Sequence, residues 1–390
     1  MNMSLSKQAP MVCEALGNVQ VIPVSNGRNL RKFNDLPWAV YADDPVWVPP
    51  LRLERRLHFS SLNPFFKHGR WQAWIACRDD KPVGRISAQI DELHQQRYGN
   101  NTGHFGLLEA IEDAAVFKAL TDTAEQWLQQ QQVTRITGPF GLSINQECGL
   151  LVEGFDTPPV LMMPHGRVWY EELLMQQGYT PAKELLAYWV NVDFKTPRVM
   201  QRLLDRYAGQ VRLRTLRRKE IKQEMELLRD IFNDAWSNNW GFVPFTREEF
   251  LELGNSLRLL VPDDYVQVAE INGEAVAFIA ALPNLNEIIR DMNGRLWPWN
   301  LVKLVRRLKG RQIHTGRVPL MGVRKQYQNK PIGMALAFLV INAVRNALWE
   351  RGITEVEMSW ILEDNSGMRN ILDSIGSRIY KRYRLYEKKL

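Results

Sequence analysis

Two successive passages of alternating strands and helices predict a mixed α/β (α+β) chain. They read as tandem domains, each a mixed, mostly antiparallel sheet flanked by helices. Three observations carry this. Hairpin signals recur: strand-like Trp71 to Arg78 and Val83 to Ile90 flank the turn residues Asp79, Asp80 and Lys81, and Tyr265 to Ile271 and Glu274 to Leu282 flank Asn272-Gly273. In each passage, segments of helical periodicity separate the strands. Between the passages, Thr196 and Pro197 supply an N-cap and a first-turn proline for a linking helix. The expected organisation is a loosely ordered terminus over 1–19, a first domain over 20–195, the linking helix over 196–210 and a second domain over 211–390.

The elements follow in order. After the first hairpin, Phe105 to Ile111 reads as a strand, Ala114 to Gln130 as a helix and Val133 to Ile136 as a strand. The last of these enters the turn-rich, polar segment GPFGLSINQECGLLVEGFD. Trp169 to Gln177 is a short helix stopped by Gly178, and Leu186 to Val192 is a closing strand. Arg198 to Tyr207 is the linking helix, ended by Gly209. The pattern then restarts with a strand over Val211 to Leu216 and a helix over Glu220 to Asn233. Thr246 and Glu249 have the spacing of a capping box. Past the second hairpin come a strand (Arg317 to Val323), a long amphipathic helix (Pro331 to Glu350), a strand (Ile353 to Ile361), a helix (Gly367 to Ser374) and a last strand (Tyr383 to Tyr386).

Composition narrows the classes. Apolar residues make up 45% of the 390 and charged residues 24%, which suits a packed core rather than disorder. The start of the chain lacks the pattern of a signal peptide. The most apolar run, Met334 to Leu348, is interrupted by Asn342, Arg345 and Asn346 and is not expected to cross a bilayer. Cys13, Cys77 and Cys148 have no metal or redox spacing, and the histidines have no ligand spacing, so no metal is expected. The expected location is the cytoplasm, extended to a peripheral position at the inner membrane. A formal charge of +7 favours an anionic partner: a membrane surface, an acidic protein, a phosphate-bearing cofactor or nucleic acid. No nucleic-acid-binding motif is present, and no nucleic-acid partner is expected.

The chemistry signal lies in the second domain. The strand VPLMGV leads through RKQYQNK into the helix PIGMALAFLV. Gln328, Pro331 and Gly333 have the spacing of a phosphate-cradling loop, in which amides at a helix N-terminus face an anion. Pro331 removes one amide but suits a first helical turn. The same residues also read as a proline-started core helix after a basic loop. Further on, NSGMRNILDSIG follows the strand EVEMSW. Together the two segments resemble the acetyl-coenzyme A loop and closing motif of the GNAT acyltransferase superfamily. Asn365, Met368, Leu372 and Gly376 match the second motif, with Leu372 where that superfamily usually has tyrosine. The resemblance implies donor contacts at Val323, Arg324, Lys325, Gln328, Lys330, Ile332, Gly333, Met334 and Asn365. The donor it implies is acyl-CoA, or an acyl carrier protein bearing phosphopantetheine.

An amine attacking a thioester must lose a proton, and a carboxylate or histidine can take it. Glu357 and His314 are the candidates, since GNAT members often place a base on one of these two strands. The alternatives are a solvated strand carboxylate and a partly exposed histidine. Tyr380 or Tyr383 could stand in for the missing tyrosine. In the first domain, Asn145, Gln146 and Glu147 read either as a polar wall for the acceptor or as a hydrogen-bonded turn. GLLEAIEDAAVFKAL offers acids where a donor loop should be basic, so that domain is expected to lack donor binding. Trp297 and Trp299 sit in the basic segment 295–311, which suits a membrane interface, an acceptor tunnel, an acidic carrier protein or a plain surface helix.

Taken whole, the chain resembles an enterobacterial protein and, more distantly, the bacterial ceramide synthases. The resemblance rests on GPFGLSINQECGLLVEGFD, WYEELLMQQGY and NSGMRNILDSIG. It implies N-acylation of a long-chain amino alcohol, a lipid amine acceptor, by a fatty acyl thioester. Two rival readings are a non-catalytic GNAT-like binding protein and an aminoacyl or peptidyl transferase using a tRNA-borne donor.

Overall fold

Local chemistry starts most elements of the computed structural model, which describes residues 19–207 and 209–390. The loose terminus expected over 1–19 lies, except for Val19, outside the described residues, as does Cys13. The chain forms two units. The first runs up to Glu184 and adds Met292–Leu296 and Arg382–Leu390. The second comprises Leu185–Asp291 and Trp297–Lys381.

The first unit contains β1 (Gln20–Pro23), α1 (Gly27–Val40), α2 (Arg52–His58), β2 (Gly69–Arg78), β3 (Lys81–Asp91), α3 (Glu92–Tyr98) and β4 (Thr102–Ala110). Then come α4 (Ala114–Gln130), β5 (Arg135–Gly138), β6 (Leu150–Glu153), α5 (Tyr170–Gln176) and β7 (Thr180–Asn191), within which the chain passes to the second unit. Strands β1 to β4 are antiparallel neighbours, and β4 pairs β5 in parallel. Strand β2 alternates between two cores. Ala73, Ile75 and Cys77 join Phe33, Phe59 and Phe65, while Trp74 and Ala76 join Leu36, Phe117 and Leu120. A strand buried on both faces shows no simple polar alternation. Strand β3 does alternate, yet its polar residues Arg85, Ser87, Gln89 and Asp91 are buried too. They are bonded internally, for example Arg85 Nη1 to the Phe33 carbonyl at 2.9 Å.

The second unit contains α6 (Arg198–Tyr207), β8 (Arg212–Thr215), α7 (Ile221–Trp236), α8 (Arg247–Leu257), β9 (Val266–Ile271), β10 (Glu274–Pro283) and α9 (Asn286–Ile289). It continues with α10 (Trp299–Lys309), β11 (Thr315–Val323), α11 (Pro331–Glu350), β12 (Glu355–Leu362), α12 (Ser366–Ser374) and the first residues of β13 (Arg378–Lys389). The rest of β13 returns to the first unit and pairs β5 and β6. In this unit the strand order is β7, β12, β11, β10, β9, β8, antiparallel except for β11 beside β12. Asn272 and Gly273 take φ of 53° and 82°, the left-handed pair that a tight β9–β10 hairpin needs. The capping box closes in both directions: Glu249 N–H reaches Thr246 Oγ1 at 3.2 Å, and Thr246 N–H reaches Glu249 Oε2 at 3.0 Å.

Helix α11 spans 20 residues with a most apolar window of mean hydropathy 1.5, enough by length and composition to cross a bilayer. Yet 61% of that window is buried in the fold. Asn342, Arg345 and Asn346 do not interrupt it, because they lie on its partly exposed side while Ile341, Val344, Ala347 and Leu348 face the core. Phe232, Phe245, Phe250 and Phe278 fill a second core under α7. Each such side chain contributes roughly 1.5–3 kcal/mol by leaving water.

A buried ion triad ties the edge strand β8 to this unit. Arg214 Nη1 meets Glu224 Oε2 of α7 at 2.7 Å, and its Nε meets Glu270 of β9 at 2.5 Å. Both carboxylates are buried. Replacing Arg214 by Met takes the buried cation from two buried carboxylates, leaving them the Arg217 N–H on Glu224 at 3.2 Å and the Arg217 guanidinium 3.7 Å from Glu270. We expect a loss of about 3–5 kcal/mol, read from the urea midpoint. A loss below about 1 kcal/mol would show the triad to be dispensable.

Candidate active site

Strands β11 and β12 begin as a parallel pair and then separate. Pairing runs from Thr315↔Glu355 to Val318↔Met358 and goes no further, although β11 continues to Val323 and β12 to Leu362. Both strands carry an extra residue at this point. Val318 and Pro319 of β11 together oppose Ala281 of β10, and β12 shifts register against β7 between Met358 and Ile361. Bulges bend strands, and Pro319 has no N–H to pair. Beyond Val318, β11 keeps β10 on one edge as far as Val323↔Ala277, while its other edge has no strand partner among the described residues.

The gap leads toward the start of α11. Its cap residue, Lys330, makes no side-chain capping bond, Pro331 opens the helix, and the first turn contains no acid. The loop before it is held from α7: Lys325 N–H donates to Asp234 Oδ2 at 2.8 Å, and Gln328 Nε2 donates to the carbonyls of Ala235 at 3.1 Å and Val323 at 2.8 Å. Arg324 and Lys325 are also engaged, Arg324 with Asp230 at 2.8 Å and Lys325 Nζ with Asn238 at 3.0 Å. Lys330 is the exposed cation of the loop. Gly333 serves packing: a Cβ there would strike the Tyr327 carbonyl oxygen.

The first unit treats the same positions differently. After the short parallel pairing of β4 with β5, the chain folds back on β4. Phe140 N–H donates to the Phe105 carbonyl at 2.9 Å, and a Cβ on Gly106 would strike Phe140. The start of α4 is capped by its own acid, with Asp113 Oδ1 accepting from Ala115 at 2.9 Å and Val116 at 3.2 Å. Those amides are already satisfied by a carboxylate.

At the closed end of the gap lies a buried polar cluster. Glu357 of β12 stands opposite Arg317 of β11 in register, and both are almost wholly buried. Arg317 Nε lies 3.6 Å from Glu357 Oε1 and donates to Ser359 Oγ at 3.0 Å. Ser359 Oγ in turn donates to Glu357 Oε1, and the Tyr380 hydroxyl of β13 donates to Oε2. Trp360 lies under the Arg317 guanidinium at 4.8 Å, and Trp189 packs on Tyr380 at 5.0 Å. Burial pushes the Glu357 carboxyl above its ordinary value, against the opposing pull of Arg317, Ser359, Tyr380 and Lys381.

The other anticipated residues lie elsewhere. His314 is exposed just before β11, at the end where the strands are still paired, and its backbone N–H donates to Glu287 Oε2 at 2.9 Å. Asn365 caps α12, accepting from Met368 N–H at 3.1 Å. Leu372 is wholly buried, so the hydroxyl near the gap comes from β13 instead. Val323, Ile332 and Met334 flank the loop, Met334 being exposed. Glu147 belongs to the first unit and pairs with Arg55. Burial opposes its ionisation, but Arg55 holds its carboxyl below the ordinary value. Asn145 N–H donates to Ser143 Oγ at 3.3 Å within the same polar loop. Trp297 and Trp299 are 81% and 80% exposed. Arg317, Ser359 and Lys381 are not among the residues expected from the sequence. The available signal was a charge or hydroxyl inside strands that otherwise read as apolar. Among the described residues no His, Cys, Asp and Glu cluster is arranged as a metal site.

No family model matches the sequence. Protein YghO of Escherichia coli (strain K12) is 50% identical over 366 residues, 94% of each chain. Bacterial ceramide synthase of Caulobacter vibrioides (strain NA1000 / CB15N) is 42% identical over 376 residues, 96% of this chain and 98% of that one. Among solved structures, a tandem GNAT protein from the clavulanic acid biosynthesis pathway aligns with a TM-score of 0.56 at 13% identity, covering 95% of this chain and 98% of that one. The GCN5-related glucosamine N-acetyltransferase region of a fungal multi-domain GH3 β-N-acetylglucosaminidase aligns with a TM-score of 0.56 at 15% identity, covering 96% of this chain but 38% of that longer one. The fold is that of tandem GNAT domains.

Two outcomes are expected here. Gly333→Ala forces the loop off the helix and should lower stability by about 1–3 kcal/mol in urea unfolding. Glu357→Gln changes the pH profile. A carboxyl raised on folding stabilises fully below its unfolded value of about 4.3, and that contribution is lost as pH rises through the folded value. The glutamine variant lacks this loss, so its stability relative to wild type should climb from pH 4.3 toward neutrality. A constant difference across that range would place the Glu357 titration at its ordinary value.

Proposed function

Since this chain belongs to the family of bacterial ceramide synthase and protein YghO, and is an N-acyltransferase of GNAT type, we propose that it moves a fatty acyl group from a pantetheine thioester to an amine, that of a long-chain, sphingoid-type amino alcohol. The observation that carries the mechanism is the parting of β11 and β12, with Glu357 at one end and the uncapped start of α11 at the other. An extended pantetheine arm with its own amides suits the unpaired edge of β11, as a strand adds to a sheet edge. The donor phosphate suits the first-turn amides of α11 near Ile332, with Lys330 beside them.

The chemistry then needs little more. The amine attacks the thioester carbon, a C–N bond forms and the C–S bond breaks. The amine proton leaves as the thiolate collects one. Glu357, held above its ordinary value by burial, is a stronger base than an exposed carboxylate. Tyr380 is half-buried and bonded to Glu357, so its hydroxyl is the link by which a proton reaches the buried carboxylate. Arg317 and Ser359 position that carboxylate.

The test is turnover by the full-length protein. Palmitoyl-CoA, and separately a palmitoylated carrier protein, is offered with a long-chain amino alcohol, and both thiol release and the amide product are followed. Glu357→Gln should lower kcat/KM by about 10²–10⁴-fold with folding retained. Tyr380→Phe should lower kcat more than it raises KM, and His314→Ala should leave the rate nearly unchanged. No amide from either donor, or equal activity of the Gln variant, would overturn the proposal. Equal turnover of acetyl-CoA would remove its lipid part.

A further inference from the structure

The positive charge of this protein is not spread along the chain. From Met292 to Trp349 there is no Asp or Glu but there are 11 Lys and Arg. The remaining residues carry 39 Lys and Arg against 43 Asp and Glu, so the whole excess resides in this segment. It includes α10, a helix in the second unit with no buried residue.

The two sides of α10 differ. Asn300, Lys303, Leu304, Arg307 and Leu308 form the half-buried side. Lys303 and Arg307 are anchored to Asp291 at 2.5 and 2.7 Å, and Arg307 also donates to the Ile288 carbonyl at 2.6 Å. The outward arc consists of Trp299, Leu301, Val302, Val305, Arg306 and Lys309, all exposed. Trp297, immediately before the helix, adds a second ring that is four-fifths in water. Large apolar side chains facing water on one arc, with cations but no acid among them, are otherwise unfavourable on a soluble surface; the neighbouring acid, Asp291, is paired with Lys303 and Arg307 on the other side. Aromatic rings and basic side chains together match the headgroup region of a bilayer: the rings sit at the acyl boundary and the cations meet anionic headgroups.

We propose that Trp297 and the outward face of α10 form the surface by which this protein seats on an anionic membrane. Arg306 and Lys309 supply the charge complement, and Trp297, Trp299, Val302 and Val305 supply the apolar insertion. This goes beyond the proposed reaction and is independent of it, since attachment is measured without either substrate.

The experiment is co-sedimentation of the full-length protein with vesicles of phosphatidylcholine alone, or of equal parts phosphatidylcholine and phosphatidylglycerol, across a salt series. Wild type should partition onto the anionic vesicles and be released by salt. Arg306→Glu with Lys309→Glu should weaken that partition at least tenfold (each surface cation contributes about a factor of five). Trp297→Ala with Trp299→Ala should weaken it on both compositions. Because α10 buries none of these side chains, both variants should keep the wild-type melting temperature. If either variant unfolds, quenching of wild-type tryptophan emission by brominated lipid decides the matter. Equal partition of wild type and folded variants, no partition at all, or capture of an acidic carrier protein in place of vesicles would overturn the proposal.

Discussion

Glu357 has none of its surface in water, and keeping a carboxyl group there constrains the surrounding second unit. A buried acid without partners would be several kcal/mol unfavourable if ionised. Arg317 is supplied from the neighbouring strand, Ser359 from two residues along, and Tyr380 from the last strand of the chain. The arrangement works only if β11 and β12 are in register at Arg317↔Glu357. One residue later they part, because Pro319 and the paired bulges end the ladder. The polar cluster and the gap are therefore two consequences of one local geometry.

The two units share the GNAT architecture, and the start of one helix distinguishes them. In the first, Asp113 accepts from the amides of Ala115 and Val116 at the start of α4, and Phe140 N–H donates to the Phe105 carbonyl of β4. In the second, Lys330 leaves the start of α11 without an internal acid. A carboxylate and a phosphate compete for the same N–H groups. This gives the acidic GLLEAIEDAAVFKAL stretch a specific role: it caps its own helix.

Much of the loop motif was legible, though its parts do different work from what their type suggests. Gly333 belongs to the motif, but its missing side chain makes room for the Tyr327 carbonyl. Gln328, Arg324 and Lys325 shape the loop by bonding to other segments instead of offering free charge. Lys330 stays exposed at the helix start, and the Gly333 and Met334 amides bond back to its carbonyl at 3.0 and 3.3 Å. Position along the chain put Arg324, Lys325, Gln328 and Lys330 on one loop, but not which way each one turns.

The sequence by itself determined whatever depends on near neighbours. The Asn272-Gly273 turn, the Thr246–Glu249 box and the bounds of Ala114–Gln130 and Pro331–Glu350 follow from backbone preferences and side-chain bonds within a few residues. Only tertiary structure decided that Arg317 and Tyr380 meet Glu357. It also decided that β13 runs from Arg378 to Lys389 and that a length of helix apolar enough for a bilayer is spent inside the core. Those partners are tens of residues apart in sequence. Their meeting is set by strand register and by which face is buried, which no local pattern encodes.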